Sequence, residues 1–403
     1  MDTRVILLLA AEAAFAFALL YLSGAVKKPR QAVLSALLIA AAFAVRGAML
    51  GHETDDYLDF LTKWVKYFAD NGGFRGLRGS IGNYNIPYLY FLAWFSYSDI
   101  KDLYLIKLLS IFFDVILAWS SMQLCGLFVK SADRKLVCFF TVLFLPTVLL
   151  NGAYWGQCDS IYAAFAVLSV YLALDNKPWL SVAAITAAFA FKLQAVFVMP
   201  VFAVLLLCRK IKPAHLLAFP AVYVLMVLPA VIAGRPFMET VTLYFSQTGS
   251  IGDGLNYNSS SLFSIVDPQN TALWSKLAVV GAFAAVLLIL AAALVRRRRI
   301  TDRTVLAAAA LFAVVIPFLL PHMHDRYFFA ADVLTLIVAC VSPEWFGLPC
   351  LVQFGSLLGY YAFLKMVYLM PMNRGGCAML LAAVLAAVYY RISFRSKKAR
   401  LSE

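Results

Sequence analysis

The sequence predicts an all-α polytopic membrane protein, and three observations predict it. Of 403 residues, 63% are apolar and only 14% are charged, against roughly a quarter charged in soluble globular proteins; mean hydropathy is +0.84. Apolar runs near the roughly 20 residues that cross hydrocarbon recur along the whole chain. The basic residues behind a net charge of +13 sit in the short loops between these runs. There they set orientation, so no nucleic-acid partner is expected.

Taken in order, the runs give about thirteen spans. They lie at approximately 5–23, 32–50, 104–127, 136–151, 159–175, 179–192, 194–208, 214–233, 273–295, 304–320, 327–342, 348–366 and 376–390. Several are short, and suit tilted, broken or partial crossings. Met1 to Tyr21 is apolar with no small-residue cleavage site after it, which predicts a retained span rather than a signal peptide. Basic groups at Lys27, Lys28 and Arg30, at Lys130, Arg134 and Lys135, at Arg209, Lys210 and Lys212, at Arg296 to Arg299 and in the tail 391–403 all fall on one side. The positive-inside rule makes that side cytoplasmic, with the N-terminus outside and the C-terminus inside. Counting Ile86 to Ser98 as a span would break this pattern. That run is short and rich in Tyr and Trp, so it is expected on the membrane surface.

Two long external loops remain, 51–103 and 234–272. Seven cysteines lie mostly within apolar runs, with only Cys158 near a boundary. They offer neither a disulfide framework nor metal-ligand spacing.

In the first loop, Tyr57, Phe60, Leu61, Trp64, Val65 and Phe68 recur at helical spacing, predicting an amphipathic juxtamembrane helix. Thr54 is its expected N-cap and Asn71-Gly72-Gly73 its stop. Asp55 and Asp56 fall in its first turn. Acids there complement the helix dipole, or one of them serves as a general base at the membrane surface; periodicity does not choose. Further on, NGAYWGQCDSIYAAF puts Trp155, Gln157 and Asp159 at the mouth of two short spans, where Asp159 also suits a helix start. Lys192 and Gln194 stand at another boundary, where a lysine can simply snorkel to the headgroups.

The stretch PHMHDRYFF, Pro321 to Phe329, puts two of the four histidines, an acid and an arginine into five residues between apolar runs. Charge there is costly unless it has a task. Pro321 suits a first helical turn, whose free N–H groups would attract an anion. On a helix, His322 and Arg326 would share a face. Arg326 can grip a phosphate bidentately and His324 can add a donor. Two histidines with Asp325 could instead hold a metal, but no third-ligand partner is recognisable; an interfacial anchor is the other alternative. In the second loop, a short helix is expected at Phe237 to Phe245, and Tyr257 and Asn258 are candidate ligand contacts or loop filler.

These motifs, in order, resemble those of the C-type (GT-C) glycosyltransferases, in particular the bacterial enzymes that use polyprenyl-phosphate sugars. The resemblance rests on Asp56-Tyr57 opening an amphipathic helix with a Trp, on NYNIPYLY (Asn83 to Tyr90), on YWGQCDS with FKLQ, and on PHMHDRYFF. Asn83 stands where the family often has Asp, and Asp325 where Glu is more familiar. The resemblance implies a single transmembrane glycosyltransferase domain over 1–403. It implies Asp56 as the catalytic acid–base residue, with Asp55 the alternative. It implies donor phosphate binding by Arg326, His324, Lys192 and His322, and sugar or acceptor contacts from Gln157, Asp159, Trp155, Tyr84, Tyr257 and Asn258. The expected reaction moves a hexose with inversion from a polyprenyl-monophosphate sugar to a hydroxyl of a glycan, glycolipid or protein. No metal or other cofactor is expected, and the expected location is a bacterial cytoplasmic membrane, among membrane lipids.

A multi-span transporter or lipid-linked sugar flippase is the rival, since the span count suits many carriers. Carriers place ionisable groups near mid-membrane and on both faces, whereas Asp56, Asp159, Lys192 and Arg326 gather at the outer boundary. A histidine-dependent acyltransferase finds little support, His215 lying near a cytoplasmic boundary.

Overall fold

A computed structural model describes residues 2–244 and 254–394. Residues 245–253, including the end of the helix expected at Phe237 to Phe245, and the tail with Arg395, Lys397, Lys398 and Arg400 lie outside the described residues. Among the described residues, eight helices are long and apolar enough to cross a membrane: Thr3–Leu22, Pro29–Met49, Asp102–Gly126, Pro213–Ile232, Thr271–Val295, Asp302–Leu319, Pro343–Lys365 and Asn373–Ser393. The pair Ala132–Leu143 and Pro146–Trp155, bent by 47°, passes the same test together, as a broken span or a re-entrant loop. Pro146 explains the bend, because it holds Leu145 in extended backbone and cannot continue the helix before it. The runs expected at 159–175, 179–192 and 327–342 form the shorter apolar helices Asp159–Leu174, Pro178–Phe191 and Phe329–Val341. The run at 194–208 is broken into a 3-10 turn, Leu193–Phe197, and a short helix, Val201–Leu207. The all-α membrane architecture is therefore the one the chain adopts.

The chain divides into two compact units of interleaved sequence. The first comprises Met1–Leu168, Val182–Leu193 and Leu217–Ser250; the second comprises Ser169–Ser181, Gln194–Leu216 and Ile251–Glu403.

In the first unit the Asp102–Gly126 helix is central, with Ile106, Lys107, Ser110, Ile111 and Asp114 among its buried residues. It packs against Thr3–Leu22, Ala132–Leu143 and the Leu150–Trp155 turn. The amphipathic helix of the first long loop forms as the spacing predicts, with one departure. Its first turn, Tyr57–Leu61, is π-helical and runs into the α-helix Thr62–Asp70. The wider turn carries one extra residue, which rotates Phe60 off the buried stripe. Tyr57, Leu61, Trp64, Val65 and Phe68 are buried, while Phe60 is 50% exposed. Thr54 starts the helix through its carbonyl, but its hydroxyl donates to Trp155 O instead of capping. Gly72, at φ 73°, follows Asn71 and ends the helix.

The run expected at the membrane surface, Ile86 to Ser98, contains the short helix Ile86–Phe95. That helix is started by the Asn85 side chain and Pro87, and Ile86, Tyr88, Leu89, Leu92 and Ala93 are buried in the unit. A helix apolar on all sides is satisfied only by cover on most of them; Trp94 remains exposed.

In the second unit, Asp302–Leu319 is the buried helix, with Val305 to Val314 almost fully enclosed. Thr301 caps its start, and Thr271–Val295, Phe329–Val341 and Asn373–Ser393 pack against it. The PHMHDRYFF stretch is not a helix start. Met323–His324 (β2) pairs in parallel with Asn256–Tyr257 (β1), and the following helix begins only at Phe329. His322 adopts φ 60°, left-handed backbone that no right-handed helix contains. The expected helical face shared by His322 and Arg326, and the anion site at a Pro321-started helix, are therefore corrected. The physical cause is the second long loop, whose strand supplies backbone partners that a helix would have supplied locally.

Candidate functional site

In the first unit, six of the singled-out residues come together. Asp56 Oδ2 accepts two hydrogen bonds, from Trp155 Nε1 at 2.8 Å and from Gln157 Nε2 at 2.6 Å. Gln157 Oε1 in turn accepts from the Tyr84 hydroxyl at 2.9 Å. Trp155 and Gln157 are buried, whereas Asp56 and Tyr84 are only partly so. The result is a carboxylate at an accessible edge, aimed by two neutral donors from a buried wall. Charge-assisted bonds of this kind are about twice as strong as neutral ones.

The local backbone explains how two residues so close in sequence both reach one oxygen. Leu150–Trp155 is a π-helical turn, closed by Gly156 at φ 86°. A residue with a Cβ would resist that conformation. The chain then reverses, with Gln157 N donating to Asn151 O, and presents Trp155 and Gln157 side by side.

Asp159 and Lys192 form a buried ion pair, and Asn151 Nδ2 donates to Asp159 Oδ2 at 2.8 Å. Asp159 opens one short helix and Lys192 follows the end of another, so each charge also meets the favourable end of a helix dipole. Lys192 Nζ lies 5.5 Å from the centroid of the Tyr84 ring, within cation–π reach. Asp55, the alternative acid, is exposed, and its carboxylate has no hydrogen bond or ion pair among the described residues.

Behind this cluster lies a polar stripe on the Asp102–Gly126 helix that sequence reasoning passed over. Asp102 accepts from the Tyr57 hydroxyl at 2.6 Å. Lys107 Nζ donates to Met49 O at 3.1 Å and His52 O at 2.6 Å. Ser110 Oγ donates to Gln157 O at 2.7 Å. Asp114 accepts from Arg46 Nε at 3.1 Å and Nη2 at 2.9 Å, and from the Ser160 hydroxyl. One helix thus holds both the turn that leads into Asp56 and the stretch that carries Trp155 and Gln157. The signal was present: Arg46, Lys107 and Asp114 are ionisable groups inside apolar runs, which mark function or its support. Burial and the Asp102 carboxylate raise the Tyr57 phenol above its ordinary pKa, which keeps it a hydrogen-bond donor.

In the second unit, the Tyr257 and His324 rings stack 4.7 Å apart at 14°, and Tyr327 packs at 5.2 Å from His324. Arg326 is 17% exposed, with Nη1 at 3.6 Å from the buried Asp325. Asn258, left-handed at φ 56°, accepts from the Tyr368 hydroxyl at 2.6 Å. Gly359 permits this close docking, because a Cβ there would sit 2.5 Å from Asn258 O. His322 acts as a strap, its Nδ1 2.7 Å from Gly254 O and its Nε2 3.0 Å from Ser275 Oγ. A carbonyl only accepts, so Nδ1 carries the proton. Among the described residues, no three His, Cys, Asp or Glu side chains gather into a metal-binding group.

No curated protein matches the chain. A family match, to glycosyltransferase family 87, covers residues 83–321. It includes Tyr84, Trp155, Gln157, Asp159, Lys192, Tyr257 and Asn258. Because that match spans more than half of the chain, the protein belongs to glycosyltransferase family 87, a family of GT-C-type membrane glycosyltransferases that use polyprenyl-phosphate sugars.

Proposed function

We propose that this membrane glycosyltransferase moves a hexose from a polyprenyl-monophosphate sugar to an acceptor hydroxyl at the external face of a bacterial cytoplasmic membrane, with inversion at the anomeric carbon. The acceptor is a hydroxyl of a glycan, glycolipid or protein. Asp56 takes the proton from that hydroxyl as its oxygen attacks the anomeric carbon. The bond from that carbon to the phosphate oxygen breaks, and its electron pair leaves with the polyprenyl phosphate. Arg326 and His324 hold the phosphate and stabilise the charge it gathers. A lipid-monophosphate donor calls for no metal in this scheme. The N-terminus lies outside and the tail 391–403 inside.

The observation that carries the proposal is the convergence of Trp155 and Gln157 on Asp56 Oδ2. Two fixed donors orient a partly exposed carboxylate, as a positioned base requires. Asp55 has no such support.

The test incubates purified protein with a radiolabelled polyprenyl-phosphate hexose and a membrane extract. Label passing to a new product, about 10²–10⁴-fold slower for Asp56→Asn and little changed for Asp55→Asn, is the expected result. Label that only crosses a liposome bilayer would mark a flippase, and full activity of Asp56→Asn would remove the base.

A further inference from the structure

The first long loop, 51–103, carries five basic side chains, and three of them stand beside an acid. Lys63 pairs with Asp59, Lys66 with Asp70 and Lys101 with Glu53. Arg75 and Arg78 are exposed, and neither guanidinium has a hydrogen bond or ion pair among the described residues. With the N-terminus outside, as proposed, both sit on the external side, where the positive-inside rule gives a cation least reason to be. The transfer chemistry does not use them.

Their position is built. Gly73–Arg78 is a 3-10 turn, in which side chains three apart eclipse, so Arg75 and Arg78 stand in one line. The other side of the turn is held fast. Gly73, Gly76 and Leu77 are buried, and the Tyr67 hydroxyl donates to Gly76 O at 3.1 Å. The Tyr97 hydroxyl accepts from Phe74 N at 3.1 Å and donates to Gly72 O at 3.2 Å. A Cβ on Gly73 would lie 2.1 Å from that ring, so glycine alone admits it. Beside Arg78, a Cβ on Gly234 would lie 3.8 Å from Arg78 Cβ. The next residue, Arg235, is buried, donating to Gly79 O at 3.2 Å and Ser80 Oγ at 3.3 Å, with Glu239 at 3.7 Å. It clamps the end of the turn and meets the charge of Glu239. The charge of Arg75 and Arg78 stays uncompensated.

The rim of this patch is aromatic. Phe74 and Tyr97 are exposed with their rings 5.9 Å apart, and Trp94, one turn before Tyr97, is exposed as well. Aromatic rings favour the level where acyl chains meet headgroups, and guanidiniums grip phosphate bidentately. A free anion would engage the arginines and leave the rings in water. A phospholipid engages both.

We infer that Arg75 and Arg78 seat the phosphate of an anionic phospholipid, with Phe74, Trp94 and Tyr97 against its glycerol and upper acyl carbons. The lipid is a partner and not a substrate. It holds the loop that carries Asp56 and Tyr84 at the membrane surface.

The test needs neither donor nor turnover, and nanodiscs offer both leaflets, so it fails separately from the transferase reading and from the orientation. Full-length protein in phosphatidylcholine nanodiscs is doped with a phosphatidylglycerol or a phosphatidylcholine carrying a diazirine near its glycerol end. After irradiation, the labelled peptides are mapped by mass spectrometry. Phosphatidylglycerol should label the peptides holding Phe74, Trp94 and Tyr97 about tenfold or more above phosphatidylcholine at equal doping. Arg75→Ala with Arg78→Ala should remove that excess, and Arg75→Lys with Arg78→Lys should keep part of it. Both side chains are exposed, so these variants should fold. The label taken by the basic turn Arg297–Arg299 should stay unchanged and serves as internal reference. Equal labelling by the two lipids, or an excess that survives the double alanine variant, overturns the inference. So does an excess abolished by inorganic phosphate at matching concentration, which would mark a free-anion site.

Discussion

Trp155 Nε1 donates to Asp56 Oδ2 at 2.8 Å, although the two residues lie 99 positions apart in the chain. Trp155 is fully buried, so the indole cannot swing away, and the carboxylate inherits its fixed position. Gln157 reinforces the same oxygen and is itself held by Tyr84 and, through its carbonyl, by Ser110.

Trp155→Phe keeps most of the packing and removes this one donor. A hydrogen bond to a charged group is worth about 1.5–3 kcal/mol, so kcat should fall by about tenfold or more. The donor KM should change little, because the donor phosphate is assigned to other residues. Steady-state kinetics with labelled donor separates the two, and an unchanged kcat would show that the aim of Asp56 is set elsewhere.

Lys107→Met should act on the same carboxylate from a distance. The ammonium ties Met49 O and His52 O to the central helix, just ahead of Thr54 and Asp56. Methionine fills the space without the bonds, so the turn loses its anchor while the core stays packed. The expected result is a lower kcat with an unchanged donor KM, partly restored in Lys107→Arg. A loss of donor affinity instead would place Lys107 in another role.

Arg46 and Asp114 are fully buried, and removing one of them should destabilise the protein by about 3–5 kcal/mol. Arg46→Met alone or Asp114→Leu alone should show this in a denaturant titration in mixed micelles. The double variant should recover much of the loss, because breaking a buried pair costs more than replacing it with apolar residues. Additive losses would contradict a coupled pair.

Arg326 and His322 should separate in kind. Arg326→Ala should weaken donor binding by about tenfold or more, and Arg326→Lys by less, since lysine keeps the charge but not the bidentate fork. His322 instead holds loop to loop, in left-handed backbone. His322→Asn should therefore be tolerated far better than His322→Val, whose branched side chain resists φ 60°. Thermal unfolding measures the second comparison and equilibrium binding of labelled donor the first.

The spans were legible because apolar length is a local property: among the described residues the predicted runs fall largely on helix, and 194–208 is broken into a 3-10 turn and a short helix. The stripe of Tyr57, Leu61, Trp64, Val65 and Phe68 was legible for the same reason, and Phe60 was not, because a π-helical turn has no hydropathy signature. PHMHDRYFF was misread as a helix start, since its backbone partners sit at Leu255 to Asn258, far away in sequence. The pairing of Asp159 with Lys192 and the convergence on Asp56 depend on chain reversals at Gly156 and on helix ends meeting in space. Residue types announced that these positions mattered; only the fold shows which of them touch.

The polar stripe on the Asp102–Gly126 helix also bears on how the chain enters the bilayer during synthesis. An aspartate at the centre of an inserting helix costs about 2.5–3.5 kcal/mol on insertion scales; Asp114 stands at the middle of this helix, and Lys107 nearer its start. Their partners at Met49, His52 and Arg46 lie earlier in the chain and are made before the helix emerges. Ser160, which completes the Asp114 contacts, follows later. Most of the partners of these two costly side chains are therefore made before them.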